Sequence, residues 1–129
     1  MTRPQAINPT DIAPPIGAYS HGMLAPAGAR LLHISGQIGL AQDGRLAEGF
    51  TAQAQEAWQN LVAVLVAAGM DVQCLLKVNT FLVDPGHIPA LGPVRSAFLG
   101  SARPASTLLV VPALARPEWL IEIEAVACG

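Results

Sequence analysis

The chain has 129 residues, of which 52% are hydrophobic and only 12% charged, with a formal net charge of −2. That length bounds it to one domain, residues 1–129, and so apolar a small domain is expected to bury part of its surface against other copies of itself. The seven basic residues, Arg3, Arg30, Arg45, Lys77, Arg95, Arg103 and Arg116, form no run, which argues against a nucleic-acid partner.

Residues 1–17 carry four prolines and read as an extended lead-in rather than a helix. The stretch has no apolar export core, so a cytoplasmic location is expected. Strand-like sequence begins near Ala18, and Arg30 to Ser35 forms a second short strand. Gly36-Gln37-Ile38-Gly39 follows, and two glycines so close imply a bulge or a tight backbone approach. Asp43-Gly44 marks a turn.

Thr51 is placed to cap a helix over 52–68 that stops at Gly69. Ala54, Ala57, Trp58, Leu61, Val62, Leu65 and Ala68 recur at helical spacing and define its buried face, with Gln53, Glu56, Gln59 and Asn60 opposite. The longest charge-free apolar stretch, Leu61 to Met70, falls well short of the roughly 20 residues needed to span a bilayer, so no membrane association is expected. Leu75 to Val83 reads as a strand. A helix over about 87–98 follows, weakened by Pro89, Gly92 and Pro93. Ser106 to Val111 and Trp119 to Ala127 read as the closing strands. The order β-β-α-β-α-β-β predicts an α+β fold, a mixed sheet with two helices on one face.

Chemistry-bearing residues are sparse. On the last strand Trp119, Ile121, Ile123, Ala125 and Ala127 share one side, and Glu122 and Glu124 the other. Paired carboxylates suit acid–base work, although the alternation alone favours a solvated strand face. Tyr19 stands beside Ser20 and His21 between Gly17 and Gly22; the residues alone favour a strand start with Tyr19 packed on the core and His21 exposed over ligand contact. His33 lies in an apolar strand and reads as structural, and His87 as the start of the second helix. No nucleophile elbow or phosphate loop is present. Cys74 and Cys128 have no partners at metal-ligand spacing, so reduced thiols and no metal are expected.

Several segments together carry a resemblance: Pro15-Ile16-Gly17-Ala18-Tyr19-Ser20-His21, Ile34-Ser35-Gly36-Gln37-Ile38, Ala54 through Leu61, Val78 through Asp84, Arg103-Pro104-Ala105-Ser106-Thr107, and Ile121-Glu122-Ile123-Glu124-Ala125. In order and spacing they resemble the RidA/YjgF family over about residues 12–127. The resemblance implies a chorismate-mutase-like fold assembled as a homotrimer, with small-molecule clefts between subunits and no metal or organic cofactor. It also implies hydrolysis of enamine or imine intermediates to 2-oxo acids and ammonia. Transferred position by position, it makes Glu122 the water-activating carboxylate and Tyr19 a pocket residue, the two catalytic candidates. Ser35, Gly36, Gly92 and Ser106 become substrate-binding candidates.

One position departs from the pattern. The hydrolases resembled carry Pro-Ala-Arg, whose arginine grips the substrate carboxylate, where this chain reads Pro104-Ala105-Ser106. The cysteine two positions on is Leu108, and a pocket asparagine of the second helix is Gly92. A hydroxyl cannot replace a bidentate charged grip, and the loss is worth on the order of 2–5 kcal/mol for a desolvated pair. Arg103 lies at an odd offset from Ser106 and reaches its face only if the chain bulges; Arg95 is a second stand-in, and the sequence favours neither. The expected function is therefore a deaminase-like imine hydrolase with altered substrate range. The alternative is a non-catalytic metabolite-binding or regulatory trimer, and an endoribonuclease or translation inhibitor ranks third.

Overall fold

The strict alternation at the C-terminus sets the sheet. In the computed structural model, which describes residues 3–129, the last strand places Ile121, Ile123, Ala125 and Ala127 in the core and leaves Glu122, Glu124 and Val126 half-buried on the other face. The elements are β1 (Gln5–Ile7), β2 (Gly22–Leu24), β3 (Leu31–Gln37), α1 (Phe50–Ala67), β4 (Leu75–Leu82), α2 (Ile88–Leu99), β5 (Ala105–Val110) and β6 (Ile121–Cys128). The extended lead-in thus carries a short strand, β1, which pairs antiparallel with β2.

The main sheet has the order β3-β6-β4-β5. β4 and β5 run parallel, as strands joined through a helix usually do, and the other pairs are antiparallel, giving the mixed α+β sheet. Both helices contribute to one core: Trp58, Leu61 and Leu65 of α1 and Leu91, Val94 and Leu99 of α2 join Val78, Leu82, Ile121 and Ile123 of the sheet. Each large side chain so buried stabilises the fold by about 1.5–3 kcal/mol before entropy is counted.

Two local expectations need correction, at Thr51 and at Gln53. Thr51 does not cap α1: the helix begins at Phe50, its N-cap is Gly49 at φ 83°, and no side chain caps it. The C-terminal stop is Gly69, whose φ of 73° suits the left-handed position after the last turn. Gln53, expected on the polar side, is only 3% exposed. Its amide donates to the Glu118 carbonyl at 3.1 Å and its oxygen accepts from the Leu120 amide at 2.9 Å, so burial is offset at both ends. Asn60, on the same side of α1, donates to the carbonyls of Ile38 and Leu40. The helix face read as solvent-facing therefore holds the chain leaving β3 and the chain entering β6.

α2 forms despite its prolines. Pro89 lies in the first turn, where backbone amides have no helical acceptor, and Pro93 removes a single bond just beyond it.

Candidate functional site

The site residues expected from sequence fall into two groups on opposite faces of the sheet. The first group lies on the face away from the helices. β3 pairs Ile34 with Ala125 and Gln37 with Ile123, so Ser35 and Gly36 together face the single residue Glu124. This bulge is the one the glycine spacing pointed to, and its extra residue turns position 36 toward Glu122's side of the sheet. A methyl group built on Gly36 would lie 2.6 Å from the Glu122 Cδ, so the carboxylate rests directly against the glycine backbone. Glycine leaves the room in which this carboxylate sits, and its backbone angle is not among the positive-φ ones.

On the same face Glu124 accepts a hydrogen bond from the Asn79 amide at 3.1 Å, which ties down the second carboxylate. Lys77 donates to the Thr107 hydroxyl at 2.7 Å. Lys77, Asn79 and Glu124 line a shallow cavity of about 230 Å³ together with His33 and Ser35. Only Glu122 of the pair has no hydrogen bond to another described side chain.

The second group lies at the β5 edge, beside α2. Ser106 pairs with Val78, a core residue, and so points to the helix face. There the Arg95 guanidinium reaches it from α2, its Nη2 donating to the Ser106 hydroxyl at 3.3 Å. Arg95 is half-buried, and none of the ion pairs among the described residues includes it. Its Nε is buried without an acceptor. Desolvation pulls the guanidinium below its ordinary pKa, because the charged form gives up hydration that no carboxylate replaces.

Tyr19 sits in a loop joined to the start of β5. Buried Ser20 next to it donates to the Arg103 carbonyl at 2.6 Å and forms a bridge with Ala105, which staples the tyrosine loop to the start of β5. The phenol oxygen accepts the Ile16 amide at 3.3 Å, and the ring meets His21 edge-on at 6.1 Å. His21 in turn contacts the Ala13 carbonyl, so it braces the loop. Gly92 lines a cavity of about 130 Å³ with Arg95 and Arg103, and nothing lies within 4 Å of where its side chain would start.

Arg103 precedes β5, so the parity of a straight strand does not govern where it points. Its Nη1 is held by the carbonyls of Gly100 and Ala102, both at 2.8 Å. Sequence reasoning named Arg95 and Arg103 without choosing between them. The deciding geometry is the packing of α2 over β5, which spacing along the chain does not encode.

His33 and His87 are not joined to either group of candidate site residues by a hydrogen bond; His87 stacks on Phe50 at 4.5 Å. No cluster of three or more His, Cys, Asp or Glu residues suited to a metal ion occurs among the described residues. Among the same residues, no helix is long and apolar enough to cross a membrane.

Comparison with known proteins gives a consistent picture. The family model described as Endoribonuclease L-PSP matches residues 10–128. The human 2-iminobutanoate/2-iminopropanoate deaminase is 35% identical over 114 residues, covering 87% of this chain and 80% of that protein. A crystal structure of YyfB from Yersinia pestis, described as a Rid-family protein of unknown function, superposes with a TM-score of 0.88 at 36% identity, covering 99% of both chains. RidA from an Antarctic Psychrobacter superposes at 0.74 with 31% identity, covering 96% of this chain and 98% of that one.

Proposed function

The chain belongs to the endoribonuclease L-PSP family, the RidA/YjgF group, and on that footing we propose that it hydrolyses imine or enamine intermediates to a carbonyl compound and ammonia, with its anion anchor carried by α2 instead of β5. One observation carries the reading: the Arg95 guanidinium, half-buried and without a carboxylate, lies on the Ser106 hydroxyl at the position where the strand arginine is missing. A cation held there at the cost of desolvation is explained by an anionic ligand that compensates it.

The reaction needs a water-derived nucleophile and a proton for the departing nitrogen. Glu122 takes a proton from water as oxygen attacks the imine carbon. On the protonated imine this gives a neutral carbinolamine; Glu122 returns its proton to nitrogen, and as the C–N bond breaks the hydroxyl proton passes to the Glu122 carboxylate, releasing the carbonyl compound and ammonia. Arg95 and Ser106 fix the substrate carboxylate, and Tyr19 and Gly92 shape the space around it. Ser35 and Gly36 seat Glu122.

Glu122 and Arg95 lie on opposite faces of the sheet, so one protomer holds two half-sites. A cyclic assembly that sets the outer face of one copy against the β5 edge of the next joins them, which supports a homotrimer with its clefts between subunits. The edge strand β5 exposes Leu109 and Val110, and the loop before Tyr19 exposes Ile16 at 94%, apolar surface that such an assembly would cover. A purely ligand-binding trimer would use the Arg95 anchor equally well. The glycine seat for an otherwise unpartnered carboxylate favours hydrolysis.

The test is a coupled assay with a threonine dehydratase in which semicarbazide traps the released imine. The protein should lower semicarbazone yield, and Arg95→Ala should abolish most of the effect. An unchanged yield with wild-type protein would overturn the reading for this substrate, and an active Arg95→Ala variant would overturn the relocated anchor.

A further inference from the structure

The cavity beside α2 holds more positive charge than one carboxylate requires. Its lining includes Arg95 and Arg103, with Gly92, Ser96 and Gly100, and no aspartate or glutamate. Two guanidinium groups at a space of about 130 Å³ repel one another, and no acidic side chain of the lining offsets them. The ion pairs of the described residues, Arg3 with Asp71 and Arg45 with Asp43, involve neither.

Each guanidinium is held but not saturated. Arg103 spends Nη1 on the carbonyls of Gly100 and Ala102, which fixes the plane of the group and leaves its other edge without a hydrogen bond among the described residues. Gly100 takes φ 56°, the left-handed conformation that turns the chain back so its carbonyl meets Arg103. Arg95 spends one donor on Ser106. Gly92 leaves open the volume between the helix and these groups. Planar forks presented this way match carboxylate or phosphate oxygens two at a time.

Resting on the hydrolase reading of this site, we propose that the substrate is a dianion, the imine or enamine of a dicarboxylic acid, with one carboxylate on Arg95 and Ser106 and the second on Arg103. Monocarboxylate imines fill half of this recognition. The missing strand arginine is then a change of specificity: moving the cation to α2 places it at the same cavity as Arg103.

Binding of stable analogues tests this separately from turnover. Calorimetry at fixed ionic strength would compare 2-oxoglutarate and succinate with 2-oxobutanoate and butanoate, and glycerol 3-phosphate would probe a lone phosphate in place of the two carboxylates. A second charge-assisted contact predicts that each dianion binds about ten-fold tighter than its monoanionic counterpart. Arg103→Gln, which retains a donor for the two carbonyls but no charge, should bring that ratio toward one, and Arg103→Lys should retain part of it. Equal affinities in the wild-type protein, or a ratio that survives Arg103→Gln in a protein of native melting temperature, would overturn the inference. Glycerol 3-phosphate binding tighter than either dicarboxylate would overturn the assignment to dicarboxylates. Dianion selectivity without imine hydrolysis would remove the hydrolase reading and leave the binding site; hydrolysis without selectivity would do the reverse.

Discussion

The Glu122 carboxylate fills the space that any side chain at Gly36 would need. The two residues are on neighbouring strands, and the bulge at Ser35-Gly36 brings them together. Glu122 ends a flexible side chain, so Gly36→Ala can be accommodated by swinging the carboxylate aside. The expected result is a folded protein with a loss of stability below about 1.5 kcal/mol and a much larger loss of imine hydrolysis, on the order of 10²-fold if general-base catalysis is lost. Parallel denaturant titrations and coupled assays measure both, and an active Gly36→Ala variant would show that the seat does not matter.

Gln53 is a structural counterpart to that functional pair. Its side chain bonds Glu118 and Leu120, and its Cα stands 2.7 Å from where a methyl group on Gly39 would sit. Gln53→Ala leaves a part-buried amide and carbonyl of the β6 lead-in without the Gln53 side chain, which should cost about 1–3 kcal/mol in urea unfolding. Gly39→Ala pushes on helix backbone, which cannot swing away as Glu122 can, and should cost about 1–3 kcal/mol. A neutral result for Gln53→Ala would mean that water replaces both bonds.

The contrast between these residues explains what the sequence disclosed. Alternation from Ile121 to Ala127 and the helical spacing from Ala54 to Ala68 are local patterns, and both elements appear within two residues of their expected bounds. The Gly36–Gly39 spacing likewise announced its bulge and its close approach. Gln53 was misplaced because periodicity separates polar from apolar but does not say that a polar residue has found two backbone partners. The Arg95–Ser106 contact was not legible for a related reason. It depends on where α2 lies across β5, a tertiary relation that no spacing along the chain encodes.

The two cysteines give a prediction in pH. Cys74 and Cys128 are buried and not disulfide-bonded, and burial, with the neighbouring Cys74 second, raises the Cys128 thiol above its ordinary value. The folded state then holds a proton that the unfolded chain releases near pH 8.5. This contribution to stability is fully present below that pH and is lost as pH rises toward the folded value. Melting temperature should therefore fall above about pH 8.5, and Cys128→Ala should flatten part of that fall. An identical pH profile for the variant would assign the loss to other groups.

The separation of Glu122 from Arg95 by the thickness of the sheet makes a sharper demand. If each cleft draws its carboxylate from one subunit and its guanidinium from the next, Glu122→Gln and Arg95→Ala proteins are each inactive for a different half-site. Refolded together from an equimolar mixture, they form hybrids in which some clefts pair an intact Glu122 with an intact Arg95. Random assembly of a cyclic oligomer places both intact halves at about a quarter of the clefts, so activity should return to about a quarter of wild type. Mixing without refolding should restore nothing until subunits exchange. If the co-refolded mixture stays inactive while its hybrid oligomers are seen by native mass spectrometry, the two half-sites do not serve one cleft. The hydrolase mechanism would then need both groups from a single protomer, on opposite faces of its own sheet, a geometry in which no small substrate reaches both.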